Sequence, residues 1–280
     1  MDTLAYALPL IWAAILATAV TLYVILDGFG LGLGILFHFE RRESQRDVIM
    51  NTIAPFWDGN QTWLVLGGGG LLAAFPKAYA LVMSGLYIPI IVMLLALVFR
   101  GVAFEFRWVA KPRQEFWDLA FSWGAVVATF AQGVVLGGLL EGLSTEGGHF
   151  AGGTFDWLTP FSLFCGLSLL AGYALLGTTW LIYKTDGDLQ EWARDSAKIA
   201  LLAMLAAMAI ISLWTPYSVP RIAERWFTWP NFLIFAPVPL LSLYAAWRCW
   251  QGIENIGKDA EAFLSAVALF LLGFVGLLIS

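Results

Sequence analysis

Charge is scarce in this chain. Only 12% of its 280 residues are Asp, Glu, Lys or Arg, while 60% are hydrophobic and the mean hydropathy is +0.79. Soluble domains carry roughly a quarter charged residues, so a soluble globular class is excluded and a polytopic membrane protein is indicated. Histidine is scarcer still, at two residues, His38 and His149. Haem and copper centres in membrane oxidoreductases rely on inward-facing histidines, often paired. His38 neighbours Arg41 and Arg42, and His149 lies in a glycine-rich stretch. No metal is therefore expected on this chain. The two cysteines, Cys165 and Cys249, fall in or beside apolar runs. They supply no disulfide framework and read as packing residues. The first apolar run is too long for a cleavable signal peptide, and no basic residue precedes it.

Long apolar runs are abundant. About eight segments have the ~20 residues needed to span a bilayer: 7–36, 53–75, 79–101, 117–140, 158–183, 197–215, 231–250 and 261–279. The expected fold is thus all-α, a polytopic membrane helical bundle forming one integral-membrane domain over 1–280, with no internal repeat and no linker. Basic residues concentrate in alternate connections: Arg41, Arg42 and Arg46; Arg107, Lys111 and Arg113; Lys184, Arg194 and Lys198; Arg248 and Lys258. The opposite set holds only Lys77, Arg221 and Arg225. The positive-inside rule puts the first group in the cytoplasm and both termini outside. The stretch 141–156, acidic and glycine-rich, is then an external, flexible loop. Pro89 is expected to kink the third segment, and Pro237 and Pro239 to kink or break the seventh. Trp214, Trp226, Trp229, Trp247 and Trp250 near segment ends read as interfacial anchors.

Against this background the run PFWDGNQTWL (55–64) stands out. It enters a membrane segment with one carboxylate (Asp58), two amides (Asn60, Gln61), a hydroxyl (Thr62) and two indoles (Trp57, Trp63). A charge inside a membrane helix costs roughly 2.5–3.5 kcal/mol on insertion scales, so such a residue is a functional candidate by default. Asp27, in the first segment, has no basic residue beside it and must find a partner elsewhere or stay protonated. Gly28, Gly30, Gly32 and Gly34 follow it at every second position. Their spacing does not match a dinucleotide fingerprint, and small residues of this kind let helices approach closely.

At 1.5 Å rise per residue, Asp27 lies ~13 Å from the cytoplasmic end of its segment and Asp58 ~8 Å from the start of its own. Glu105 and Asp118 lie near the same surface. Such a graded series suits a proton path and equally suits a buried structural network. Arg100 is the natural counter-charge, and Asn60, Gln61 and Thr62 would orient Asp58 or ordered water.

Three blocks, DGFGLGLGIL (27–36), NTIAPFWDGNQTWL (51–64) and FRGVAFEFRW (99–108), resemble subunit II of the cytochrome bd-type quinol oxidases, the cyanide-insensitive type included. The likeness is clearest over residues 8–125. It implies two four-helix bundles plus one peripheral helix, the last of which this sequence does not reach. It implies one half of a terminal oxidase in the bacterial inner membrane that oxidises ubiquinol and reduces oxygen to water. Haem b and haem d belong to the partner, subunit I, and no haem ligand to this chain.

The family's polar positions fall on Asp27, Trp57, Asp58, Asn60, Gln61, Trp63, Arg100, Glu105 and Asp118. The proton-path candidates are accordingly Asp27, Asp58, Glu105 and Asp118, with the remaining residues and Thr62 as a supporting polar network. Glu105 stands where some members have aspartate. The implied partners are the haem-bearing subunit, membrane lipid, the quinone pool and a small accessory subunit, with no nucleic acid. Two rival readings stay open: a scaffold for the haem subunit through which nothing passes, and an independent proton-coupled transporter.

Overall fold

The computed structural model describes residues 3–110 and 114–279, and they are overwhelmingly helical. Lys111 and Arg113, used above for orientation, lie outside the described residues. The first half holds α1 (Thr3–Phe37), α2 (Glu43–Ile53), α3 (Trp57–Ala74), α4 (Pro76–Val109) and α5 (Gln114–Glu141). A small hairpin of β1 (Thr145–Glu146) and β2 (His149–Phe150) follows. The second half holds α6 (Pro160–Lys184), α7 (Gly187–Ser218), α8 (Pro220–Phe227), α9 (Asn231–Phe235), α10 (Pro237–Glu254) and α11 (Asp259–Ile279).

The packing resolves into two rings of four. Helices α1, α3, α4 and α5 each touch the next and close on one another; α6, α7, α10 and α11 do the same. Helix α6 also packs on α1 and α5, joining the rings. At the joint, Phe29 stacks on Trp180 with ring centroids 4.3 Å apart. The all-α, two-bundle expectation holds.

The count of eight spans does not carry over intact. Among the described residues, six helices are by length and composition long and apolar enough to cross a membrane: α1, α4, α5, α6, α7 and α11. Helices α3 and α10 have 18 residues each, or ~27 Å, and both carry polar residues at one end. The segment predicted at 53–75 had taken in the end of a separate helix: α2 stops at Ile53 and α3 starts at Trp57. The segment predicted at 231–250 is interrupted at Ala236, between α9 and α10, just before Pro237 and Pro239. A proline has no N–H to donate and clashes with the preceding turn, as its position here requires. The same physics acts in α4, where Leu86 leaves helical geometry (φ −123°, ψ 19°) three residues before Pro89.

Helix α2 is not expected from hydropathy, being short and polar. Its apolar residues Ile49, Met50 and Ile53 are buried in the core, whereas Glu43 and Asp47 face outward or sideways. The stretch 141–156, expected to be a flexible loop, contains the hairpin, turned by Gly147 (φ 57°) and Gly148 (φ 82°). Positive φ at both central residues matches the strand twist and favours glycine.

The alternating glycines of α1 have a geometric explanation. At 3.6 residues per turn, positions two apart point to nearly opposite sides, so the four make two ridges of paired glycines. Gly28 and Gly32 face α6, where a Cβ on Gly32 would lie 1.9 Å from the Tyr173 carbonyl oxygen. Gly34 faces α5 and Gly30 faces Arg100. Helix α1 is thereby clamped between α5 and α6.

Candidate functional site

Asp27 is completely buried in the C-terminal half of α1, ~15 Å from its end. It gains its partners from two other helices. Arg100 of α4, itself 3% exposed, donates from Nη1 to Oδ1 at 2.8 Å. Gln61 of α3 donates from Nε2 to Oδ2 at 3.0 Å. Tyr23, one turn earlier on α1, accepts from Gln132 Nε2 of α5 at 2.9 Å, and Gln132 Oε1 accepts from the Tyr173 hydroxyl of α6 at 2.9 Å. Asn60, next to Gln61, donates from Nδ2 to the Leu26 carbonyl at 2.8 Å. The two amides of the PFWDGNQTWL run therefore serve Asp27 and its helix, not Asp58. Arg100 likewise pairs with Asp27, which corrects its expected role as counter-charge to Asp58. Arg100 Nε and Nη2 find no acceptor among the described residues, so only one of its donor positions is spent.

Asp58 sits in the first turn of α3, nearer the helix end than its predicted span implied, because α3 begins at Trp57. A carboxylate there is favoured by the unpaired N–H groups of the helix start. Its side is uncovered. Asp58, Thr62, Val65, Leu66, Gly69 and Leu72 are all exposed and recur at helical spacing along one face. A Cβ on Gly59, Gly68 or Gly69 would meet nothing within 4 Å. Gly70, by contrast, faces α1, where a Cβ would lie 2.6 Å from Leu16. Trp57 turns inward, its ring 5.2 Å from that of Phe104, and Trp63 is half-buried. Glu105 is exposed on α4. Neither Asp58 nor Glu105 forms an ion pair among the described residues.

Asp118 belongs to a second ionic cluster, at the end of the first ring where α1 and α4 finish and α5 begins. Arg107, with no exposed surface, donates from Nε to Asp118 Oδ1 and from Nη1 to Asp47 Oδ1, both at 2.5 Å. Arg46 donates from Nη1 to Asp118 Oδ2 at 3.0 Å and from Nε to the Glu40 carbonyl at 2.7 Å. Both guanidinium groups lie over the Phe37 ring. A cleft of about 220 Å³ opens beside this cluster, lined by Arg46, Glu115, Asp118 and Ser122 among others.

Sequence reasoning counted Arg46 and Arg107 as loop residues. Arg46 lies on α2, and Arg107 is seven residues from Arg100 on α4, the spacing that returns to the same helix face. Tyr23, Gln132 and Tyr173 also escaped it. The available signals were Tyr23 four residues before Asp27 and Gln132 alone in an apolar run. His38 and His149 are both exposed, outside the bundle interiors, and no group of three or more His, Cys, Asp or Glu suited to a metal occurs among the described residues.

A family model described as cytochrome bd terminal oxidase subunit II matches residues 8–280. The cytochrome bd-I ubiquinol oxidase subunit 2 of Escherichia coli strain K12 is 33% identical over 222 residues, covering 76% of this chain and 58% of that protein. The cytochrome bd ubiquinol oxidase subunit 2 of Bacillus subtilis strain 168 is 34% identical over 224 residues, covering 77% of this chain and 65% of its own length. This chain thus spans less than two thirds of the length of these relatives. In three dimensions it is similar to a chain of the bd oxidase from Geobacillus thermodenitrificans, with a TM-score of 0.82 over 98% of this chain and 84% of that one. At 18% identity that likeness speaks for the fold.

Proposed function

Because the chain belongs to the cytochrome bd terminal oxidase subunit II family, we propose that it is the non-haem subunit of a membrane complex that oxidises ubiquinol and reduces oxygen to water. Haem b and haem d are carried by the partner, subunit I. The residues of this chain do not fit a haem: its two histidines are exposed, one at the end of α1 and one in the hairpin. What the chain contributes is a wall of the complex and a set of placed charges.

One observation carries the assignment of those charges. The four candidate carboxylates divide into two that are buried and ion-paired, Asp27 and Asp118, and two that are exposed and unpaired among the described residues, Asp58 and Glu105. A buried carboxylate that accepts from a guanidinium ties two helices together, and removing either partner is costly, so Asp27 and Asp118 serve as structural ties. Asp58 and Glu105 have no such tie among the described residues and lie on exposed faces of α3 and α4, where a proton path along the partner would run. In a bilayer the Asp58 face of α3 cannot rest against hydrocarbon, and its bare glycines allow close helix contact. Subunit I covers it, and protons reach the oxygen chemistry along that seam.

The same ends support an orientation. Arg42 pairs with Asp188, Arg107 with Asp47, and Arg194 with Asp259. These pairs join the C-terminal ends of α1, α4 and the α10–α11 turn with the starts of α2 and α7, so the basic residues gather at one end of the molecule. That end faces the cytoplasm of a bacterial inner membrane, with the N-terminus of α1 on the periplasmic side.

The experiment is Asp58→Asn in the co-purified complex, read by oxygen consumption and haem content together. Slower turnover at full haem content supports a proton role for Asp58. Unchanged turnover at full haem content overturns it. The scaffold reading is favoured for Asp27 by its two converging donors, Arg100 and Gln61, and Asp27→Asn is expected to lower haem content instead.

A further inference from the structure

The cleft beside Asp118 has donors to spare. It holds about 220 Å³, the share of several water molecules at about 30 Å³ each. Ser122 lines it while only 2% exposed, and its Oγ has no partner among the described residues. Other helical hydroxyls of this chain, such as those of Thr18, Ser168 and Thr215, donate to the carbonyl four residues back, the usual resort of Ser and Thr in a helix. Ser122 does not. Arg46, also in the lining, spends Nε on the Glu40 carbonyl and Nη1 on Asp118 and has Nη2 left over.

The acceptors of the cleft are less balanced. Both oxygens of Asp118 are taken, by Arg107 and Arg46. Glu115, three residues earlier on α5, lines the cleft, is exposed and makes no ion pair among the described residues. Arg46 and Arg107 are matched by Asp118 and Asp47, so Glu115 adds a carboxylate with no counter-charge. A bare metal cation would use Glu115 and leave the donors of Arg46 and Ser122 idle. A purely anionic group, inorganic phosphate included, would use the donors and be repelled by Glu115. A group that carries a phosphate and an ammonium together uses all three.

The surroundings indicate what such a group is attached to. Leu119, in the lining, and Phe116 and Trp123 beside it are 52%, 62% and 55% exposed, and their spacing of three and four puts them on one face of α5. They stand in the first turns of α5, at the end of the bundle, where the polar and hydrocarbon layers of a bilayer meet and tryptophan is enriched. We propose that the cleft binds a phospholipid with an ethanolamine headgroup. Its phosphate accepts from Arg46 and Ser122, its ammonium donates to Glu115, and its acyl chains run past Leu119 and Trp123. The bound lipid covers one side of the Asp118 cluster, where Arg46 of α2 meets α5.

The test is native mass spectrometry of the purified complex in detergent, titrated with phosphatidylethanolamine or phosphatidylglycerol of the same acyl chains. The wild type is expected to bind the ethanolamine lipid about tenfold more tightly than the glycerol lipid, the worth of one hydrogen bond to a charged group. Glu115→Gln, at an exposed side chain with no partner to lose, is expected to erase that preference by weakening the ethanolamine lipid alone. Ser122→Ala, which removes an unpartnered oxygen, is expected to weaken both lipids, because both carry the phosphate. Equal binding of the two lipids by the wild type overturns the proposal, as does an unchanged preference in Glu115→Gln. Displacement of the lipid by an equal concentration of soluble phosphoethanolamine would show that the apolar face contributes nothing and would overturn the choice of a lipid. The readout involves neither oxygen nor haem content and so stands apart from the test of Asp58.

Discussion

Arg100 and Asp27 lie 73 positions apart in the chain and meet at 2.8 Å in the interior of the first bundle, with side chains 4% and 0% exposed. The pair explains how a segment as apolar as α1 holds a buried carboxylate. It also fixes which face of α4 turns inward, since Arg100, Ala103, Phe104 and Arg107 are buried together.

Removing one member of a buried ion pair leaves the other charge uncompensated and costs about 3–5 kcal/mol, while replacing both by apolar residues is often near neutral. Asp27→Leu and Arg100→Met are each expected to destabilise the protein by that order, and the double variant by much less than the sum. Thermal unfolding of the purified complex, arranged as a double-mutant cycle, checks this. Additive losses would mean that the two side chains are not coupled.

Arg107 reaches Asp47 on α2 and Asp118 on α5 at once. A lysine presents a point charge without the planar fork and can serve one of them. Arg107→Lys is expected to destabilise by several kcal/mol, close to the ~3–5 kcal/mol of a broken buried pair. Proteolysis should then begin at the 38–56 connection, as α2 loses its ionic tie to α4. Intact protease resistance there would show that α2 is held by Ile49, Met50 and Ile53 alone.

Glu40 makes a prediction for acid. Burial raises its proton affinity, but the Arg42 N–H at 2.8 Å and the Arg42 guanidinium at 3.2 Å outweigh this and hold the carboxyl below the usual range. A lowered folded-state value stabilises fully above the unfolded value of about 4.3 and is lost as pH falls through the folded one. Glu40→Gln is therefore expected to be less stable than wild type at pH 7 and to match it in strong acid. Parallel stability curves across that range would remove Glu40 as the source.

Two glycines separate folding from assembly. A Cβ on Gly32 would lie 1.9 Å from a backbone oxygen of α6, whereas one on Gly68 meets nothing within 4 Å. Gly32→Ala is expected to exceed the ~1–3 kcal/mol usual for overpacking and to reduce the amount of folded chain. Gly68→Leu should leave the chain folded and abolish co-purification with the haem subunit. Retained co-purification of Gly68→Leu would show that this face of α3 is not the seam.

Periodicity and composition alone settle the class of this protein. A chain so poor in charge must bury helices in lipid, where backbone groups can be satisfied only within each helix. The long helices α1, α4, α5 and α6 were legible because unbroken apolar runs leave no other structure open to them. The unusual residue types at Asp27, Asp58 and Arg100 were legible as candidates because each is costly where it stands. Helix α2 was not, since its three buried residues occupy too few turns to stand out in hydropathy.

Partners were the tertiary structure's to decide. Asp27 and Asp58 look alike in sequence, each a carboxylate before a glycine in an apolar setting. The turn of α3 points Gln61 at one and leaves the other bare, and the crossing of α4 brings Arg100 to Asp27. Gln132 and the two tyrosines it joins come from three helices whose contact depends on how closely α1 approaches α5 and α6. Hydropathy reports what a helix costs in water. Which side chains share a proton depends on rotation about the helix axis and on the depth of packing, and both are set only when all the helices are in place.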